Sequence, residues 1–256
     1  MKRAIVVPDQ HFPLESKGAM GCVLKALEIV RPQLFINLGD VGEWEIVSSW
    51  KGKQNDLNLT YHLPLIDYEI GEVNEGIDQF DEALDKIKCK QRFILEGNHD
   101  NWLNLFVENK VGDHPVLEEY TFEKACYWKE RGYKFYEMNR PLKIGKLNFI
   151  HGSYTNIYHA KKHLEVYGSN IMYGHCHDVQ RHTLTKLDAG TIGSWSIGCL
   201  KDMRRHSNKW LRGRLHNWRH AFAIVTWWKN GNFQVEVIEI TNGRCFVWGE
   251  EITGGS

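Results

Sequence analysis

Short apolar runs recur along the chain, and several of them end in a small cluster of polar residues. Ala4–Val7 is a β-branched run stopped by Pro8, and Leu34–Leu38 is a second run closed by Gly39-Asp40. Unbroken runs of this length predict strands buried on both faces. Between them Met20, Val23, Leu24, Leu27 and Val30 recur at helical spacing before Pro32, which predicts a helix ending there. The order strand, helix, strand favours a mainly parallel sheet with functional residues at the carboxyl ends of its strands.

Further along, Ile77, Phe80, Leu84 and Ile87 mark another amphipathic helix, Arg92–Leu95 another strand, and residues 102–131 a mixed, largely helical region. Leu147–Ile150 and Ile171–Tyr173 read as short strands. Ser194–Leu200, Ala221–Trp228 and Phe233–Ile240 read as strands of a second sheet, the last two joined through Asn230-Gly231, a strong hairpin signal. Residues 51–74 show no sustained period and read as a long excursion over the site. Without an internal repeat or low-complexity linker, the chain reads as a single domain over 1–256 with a frayed end at 253–256.

Composition adds bounds. The chain has 256 residues, 42% of them hydrophobic, enough for a packed core. Its 32 basic and 32 acidic residues cancel, so net charge selects no class of partner. Six cysteines lie scattered without a CxxC pair, which argues against a thiolate zinc site and against a dense disulfide framework. Reduced thiols, no membrane association and a cytoplasmic location are expected, because no apolar stretch reaches the length of a signal peptide or a membrane span.

The chemistry lies in five motifs that follow apolar runs: Asp9-Gln10-His11, Gly39-Asp40, Gly97-Asn98-His99-Asp100, His151-Gly152 and Gly174-His175-Cys176-His177. Taken singly each is weak. Asp9 and Asp40 read equally as strand-end caps, and His99 as a structural histidine tied to Asp100. Cys176 is expected to point away from its two histidine neighbours if the segment is extended, and His159 and His163 read as one helix face. The joint occurrence, in this order, reverses those priors, because hard oxygen and imidazole donors in these numbers suffice for two cations.

In order and spacing these motifs resemble the calcineurin-like metallophosphoesterase superfamily. The resemblance implies a four-layer α/β/β/α sandwich of two mixed sheets flanked by helices. It also implies two divalent transition-metal ions: Asp9, His11, Asp40 and His177 would hold one, and Asp40, Asn98, His151 and His175 the other. Manganese is the leading choice, with iron, zinc or nickel as alternatives. Hydrolysis would proceed through a hydroxide shared by the metals, with His99 as leaving-group acid and Asp100 orienting and charging the His99 imidazole.

Departures from the family's subgroups bear on the substrate. The arginine of Gly-Asp-x-x-Asp-Arg-Gly, which grips phosphomonoesters in protein phosphatases, is absent from Gly39-Asp40-Val41-Gly42-Glu43-Trp44-Glu45. Glu43 reads as a water-mediated ligand contact or as an exposed side chain. The motif ending in Asp100 favours the phosphodiesterase and nuclease side of the superfamily. Between Lys201 and His220, seven basic residues (201, 204, 205, 209, 212, 214, 219) face one acid, Asp202. Arg204, Arg205, Arg212 and Arg214, with Trp210 and Trp218, are the candidate substrate residues for DNA, RNA or a nucleotide. A solvated loop pinned by its tryptophans is the competing reading of this stretch. The rival functions are a phosphomonoesterase acting on a protein or small metabolite, and a binding scaffold that has lost catalysis.

Overall fold

The computed structural model of the chain describes residues 2–48, 59–187 and 190–255. In chain order the elements are β1 (Lys2–Val7), α1 (Lys17–Val30), β2 (Leu34–Asn37), α2 (Leu59–Lys86), β3 (Gln91–Leu95), α3 (Asn98–Lys110), α4 (Phe122–Ala125) and β4 (Tyr133–Tyr136). There follow β5 (Leu142–Ile144), β6 (Leu147–Phe149), α5 (His159–Tyr167), β7 (Ile171–Tyr173), β8 (Val179–Lys186) and β9 (Gly190–Ile197). The chain closes with β10 (His220–Trp227), β11 (Phe233–Ile240), β12 (Arg244–Val247) and β13 (Glu250–Thr253).

Among the described residues one sheet has the order β11-β10-β1-β2-β3-β4 and a second the order β5-β6-β7-β9-β8. Strands β1 to β4 run parallel, as do β6, β7 and β9. Alternation along each strand explains why the apolar runs are continuous. Ile5, Val7, Phe35 and Ile224 point into the layer formed by α1, α2 and α3, whereas Ala4, Val6, Leu34, Ile36 and Val225 point at the other sheet. That second sheet returns Leu147, Phe149, Met172 and Ile197 to the shared core, and its outer face buries Ile171 and Tyr173 beneath α5. The result is a four-layer α/β/β/α sandwich. Each fully buried Ile, Leu or Phe contributes about 1.5–3 kcal/mol relative to exposure.

Two expectations change. Ala221–Trp228 and Phe233–Ile240 do not belong to the second sheet; as β10 and β11 they extend the first, with Ala4 opposite Val225 in an antiparallel pairing. Their hairpin is as expected, closed by Gly231 N–H donating to the Trp228 carbonyl at 3.0 Å. The excursion expected over 51–74 is largely helix: residues 51–58 lie outside the described residues, and 59–74 open α2. Leu63, Ile66, Ile70, Val73, Ile77, Phe80 and Leu84 alternate steps of three and four along it and face the core. Pro64 sits near the helix start.

All five motifs follow strands. Parallel pairing puts the carboxyl ends of β1, β2 and β3 at one edge of the first sheet, and those of β6 and β7 at one edge of the second. The two edges meet, and the motifs meet with them. No described helix is long and apolar enough to cross a membrane.

Candidate metal centre

The turns after the strands are tightly interlaced. Asp9 N–H donates to the Gly39 carbonyl at 3.2 Å, His11 N–H to the Asp40 carbonyl at 3.0 Å, and Phe12 N–H to the Val41 carbonyl at 2.7 Å. Asp9, His11, Asp40, His175 and His177 all have left-handed backbones, with φ of +46°, +54°, +50°, +66° and +61°. Non-glycine residues adopt that region at a cost of about 1–2 kcal/mol each, so its concentration here marks turns held for their side chains. The Gly174–His177 segment is therefore not extended, and Cys176 is set aside by its own contact, a 3.1 Å hydrogen bond from Sγ to the Tyr154 carbonyl.

Two glycines are required by contact. A Cβ on Gly97 would lie 2.2 Å from Asp40 Oδ1, and one on Gly174 would lie 2.1 Å from Asp9 Oδ2. In each motif the glycine lets a backbone close on a carboxylate, and His175 N–H then donates to both Asp9 oxygens, at 2.9 and 3.0 Å.

Two donor groups result, sharing Asp40. In the first, His11 Nε2 faces His177 Nε2 at 3.1 Å, Asp40 Oδ2 lies 3.7 Å from His11 Nε2, and Asp9 Oδ1 lies 3.6 Å from His177 Nε2. In the second, His151 Nε2 lies 3.2 Å from Asp40 Oδ2 and 3.0 Å from Asn98 Oδ1, and a His175 ring nitrogen lies within 4.8 Å of the Asp40 and His151 donor atoms. Cations bound at 2.0–2.2 Å bring neighbouring ligand atoms to about 3.0–3.4 Å, close to these separations.

Tautomers sharpen the fit. His151 Nδ1–H donates to the Leu38 carbonyl at 2.9 Å, and His11 Nδ1 lies 2.8 Å from Glu43 Oε2. His151 thereby turns an Nε2 lone pair toward other acceptors, and His11 directs its own Nε2 at His177 Nε2. Lone pairs converging in a buried space repel one another unless a proton or cation lies between them, so the residues present fit a pair of divalent cations. The mixed imidazole, carboxylate and amide donors suit transition metals better than calcium.

Electrostatics point the same way. Burial disfavours the charged form of His151, yet Asp40, with Asp9 and Asp100 behind it, raises the imidazole to about 9. Burial and the neighbouring His151 push His175 down to about 3. Burial opposes Asp40 ionisation, but His151, His99 and His11 hold the carboxyl well below its ordinary value. The pocket thus stabilises positive charge against the Asp40 carboxylate.

His99 lies at the start of α3, where its N–H donates to Asp40 Oδ1 at 2.8 Å. Its Nδ1 lies 2.6 Å from the Glu43 carbonyl oxygen and so carries the proton, leaving Nε2 without a hydrogen bond among the described residues. The ring packs on Trp102 at 3.9 Å and meets His11 edge-on at 4.6 Å. Asp100 does not orient this ring, contrary to expectation. Its carboxylate accepts from Val41 N–H, Gly42 N–H, Gly97 N–H and Trp44 Nε1–H at 3.0–3.3 Å. Successive helix residues point about 100° apart, so Asp100 turns back to clamp the Val41–Trp44 loop while His99 faces the cleft.

Glu43, read from sequence as water-bridging or exposed, is neither. It is buried, and its Oε2 pairs with His11 Nδ1 at 2.8 Å and Lys201 Nζ at 2.6 Å. Burial would raise its carboxyl, but His11 and Lys201 bring it down to about 2. Lys201 is thus a buried partner and no part of an exposed basic stripe. No sequence signal joins Glu43 and Lys201. His159 was legible only as part of a helix face; it is held between Tyr173 Oη at 2.7 Å and Asp178 Oδ2 at 3.0 Å.

A cleft of about 870 Å³ opens over the two groups. Of the candidate substrate residues, Trp210, Arg214 and Trp218 line it. Arg204 pairs with Asp202 at 2.8 Å and does not line the cleft, and neither does Arg212. The Arg205 side chain lies outside the described residues.

No family model matches the chain. Gene 54 protein of Mycobacterium phage L5 is 21% identical over 282 residues, covering 97% of each chain. Among solved structures, the chain is similar to a single mutant of Vps29 from Entamoeba histolytica, at 12% identity and a TM-score of 0.46 over 98% of each chain. A dimetal phosphatase from Danio rerio is similar at 12% identity and a TM-score of 0.44, over 99% of each chain.

Proposed function

We propose that the protein is a metal-dependent phosphoesterase that hydrolyses phosphodiesters, with nucleic acids or nucleotides as substrates. The observation that carries this reading is Asp40 Oδ2 standing within 3.7 Å of His11 Nε2 and 3.2 Å of His151 Nε2, one carboxylate oxygen shared by two donor groups. Asp9, His11, Asp40 and His177 would hold one divalent cation, and Asp40, Asn98, His151 and His175 the other. Such a pair supplies Lewis-acid charge to a phosphoryl group and makes water nucleophilic near neutral pH.

The remaining chemistry belongs to the chain. Glu43 fixes the His11 ring so that Nε2 faces the first group. The Leu38 carbonyl does the same for His151. His99 presents Nε2 to the cleft and, when protonated, donates its proton to the departing ester oxygen; a positioned acid contributes roughly 10²–10⁴ in rate. The diester preference rests on the missing arginine: Lys201, the cation beside that loop, is consumed by Glu43 and offers no free grip on a dianionic monoester. All seven donors and His99 are retained, which favours an enzyme over a scaffold.

Purified protein, stripped with chelator and reloaded with manganese, should turn over bis-(p-nitrophenyl) phosphate faster than p-nitrophenyl phosphate. A monoester preference would transfer the reading to a phosphomonoesterase. No metal-dependent turnover of any phosphate ester in a panel of DNA, RNA, cyclic nucleotides and phosphopeptides would remove it.

A further inference from the structure

Six aromatic rings run in sequence along the cleft. Trp102 packs on His99, which meets His11; His11 meets His177 at 5.0 Å, His177 meets Trp218 at 4.5 Å, and Trp218 meets Trp210 at 5.9 Å. The two ends differ. Trp102 is buried and serves as a backing for His99, whereas Trp210 is 56% exposed and Trp218 half-buried.

The outer end is held in place by backbone contacts. Trp218 forms a β-bridge with Asp178, and the adjacent Arg219 N–H donates to the His177 carbonyl at 2.8 Å. Trp210 rides on a short 3-10 segment (Arg205–Leu211) whose kink at Asn208 is fixed by Asn208 Nδ2 donating to the Asp202 carbonyl at 2.7 Å. Arg214 lines the same cleft, and Asp178, an acid of that lining bridged to Trp218, is engaged with His159. Trp218 packs on His177, His216 and Trp210, yet among the described residues no further ring covers Trp210, and both indoles line the cleft with Arg214 next to the candidate metal centre.

We propose that Trp210 and Trp218, with Arg214, form a stacking subsite for an unpaired nucleobase carried on the non-leaving side of the ester. This inference rests on the phosphoesterase reading and narrows its substrate to nucleotides or single-stranded nucleic acid. Indole faces accept any base, so the subsite confers little sequence preference. A base already stacked within a duplex cannot enter it without unpairing. Phosphopeptides have no planar group to offer at this distance from the phosphate except by chance of sequence.

Two diesters with the same leaving group isolate the effect: thymidine 5′-(p-nitrophenyl phosphate) and methyl p-nitrophenyl phosphate. Wild-type protein with manganese should favour the thymidine ester in kcat/KM by about tenfold or more. Trp210→Ala, at a position with no recorded contact to the metal donors, should lower that ratio at least about fivefold and toward one, as expected for one lost base–aromatic stack, and Trp210→Phe should restore most of it. A wild-type ratio near one, or a ratio unmoved by Trp210→Ala, overturns the subsite. If neither ester is hydrolysed, the phosphoesterase reading fails and binding alone decides the subsite. Fluorescently labelled oligothymidylate should then bind wild type at least about fivefold more tightly than Trp210→Ala by anisotropy, and equal binding overturns the proposal.

Discussion

Lys201 Nζ lies 2.6 Å from Glu43 Oε2 in the interior, and the same carboxylate oxygen lies 2.8 Å from His11 Nδ1. One buried anion therefore balances a buried ammonium and stands beside an imidazole of the candidate metal centre. Removing one member leaves the other charge unpaired, and Lys201→Met should destabilise the fold by about 3–5 kcal/mol in urea unfolding. Glu43→Gln should weaken metal binding by about 10- to 100-fold, as expected when a carboxylate behind a ligating histidine is lost. Titration calorimetry with manganese checks the second outcome; unchanged affinity would mean that Glu43 serves stability alone.

The free Nε2 of His99 makes a prediction about leaving groups. An alkoxide such as a nucleoside 3′- or 5′-oxygen needs a proton to depart, whereas p-nitrophenolate does not. His99→Asn should lower kcat on a dinucleotide by about 10²–10⁴, with a much smaller loss on bis-(p-nitrophenyl) phosphate. Metal stoichiometry should stay the same, because His99 belongs to neither group that shares Asp40. Equal losses on both substrates would deny the acid role.

What the sequence disclosed and what it hid separate along physical lines. The candidate donors at strand ends are legible because each follows an apolar run, and parallel strands carry their carboxyl ends to one edge. The helix over 59–74 was hidden by Pro64 and interspersed polar residues, although its three-four spacing is present in Leu63, Ile66, Ile70 and Val73. The placement of β10 against β1 was not legible, since an antiparallel partner is chosen by contacts more than two hundred residues away in the chain. Asp100 follows His99 in sequence, but neighbours on a helix diverge, and its carboxylate turns to the Val41–Trp44 loop instead. The Glu43–Lys201 pair is set wholly by tertiary structure.

Gly174 tests whether close backbone approach is needed to seat Asp9. In Gly174→Ala the new methyl would meet Asp9 Oδ2 at 2.1 Å, so either the carboxylate or the turn must move. The variant should lose about one equivalent of metal by elemental analysis while its far-ultraviolet circular dichroism remains that of the wild type. Full retention of both equivalents would show that the turn yields without disturbing the donor.

Glu69 on α2 accepts a hydrogen bond from Trp44 N–H at 2.5 Å. Burial, with Glu43 and Glu45 nearby, raises its carboxyl from 4.5 to about 7 even though the Trp44 bond works against the shift. A raised acid binds its proton more tightly in the folded state. Its folding contribution is therefore most favourable below pH 4.5 and is lost as pH rises through the window from about 4.5 to about 7. Because the side chain is only half-buried, solvent trims the loss to about 1–2 kcal/mol. Glu69→Gln keeps the acceptor for Trp44 and removes the titration. Urea unfolding at pH 5 and pH 8 should show the variant gaining stability relative to wild type at the higher pH; parallel curves would contradict the assignment.

Arg204 and Arg214 belong to the same basic run but have different surroundings, and salt should tell them apart. Arg204 is paired with Asp202 at 2.8 Å and does not line the cleft, whereas Arg214 does, with Nε donating to the Leu211 carbonyl at 3.2 Å. Each phosphate neutralised by a protein cation adds about 0.7 to the slope of log affinity against log salt for a single strand. Arg214→Ser should therefore weaken oligothymidylate binding and flatten that slope by about 0.7. Arg204→Ser should leave the slope near its wild-type value, since the guanidinium is already neutralised by Asp202. Anisotropy titrations from 50 to 200 mM salt measure both. Identical slopes in the two variants would mean that the cleft selects its strand by stacking rather than by phosphate contact at this wall.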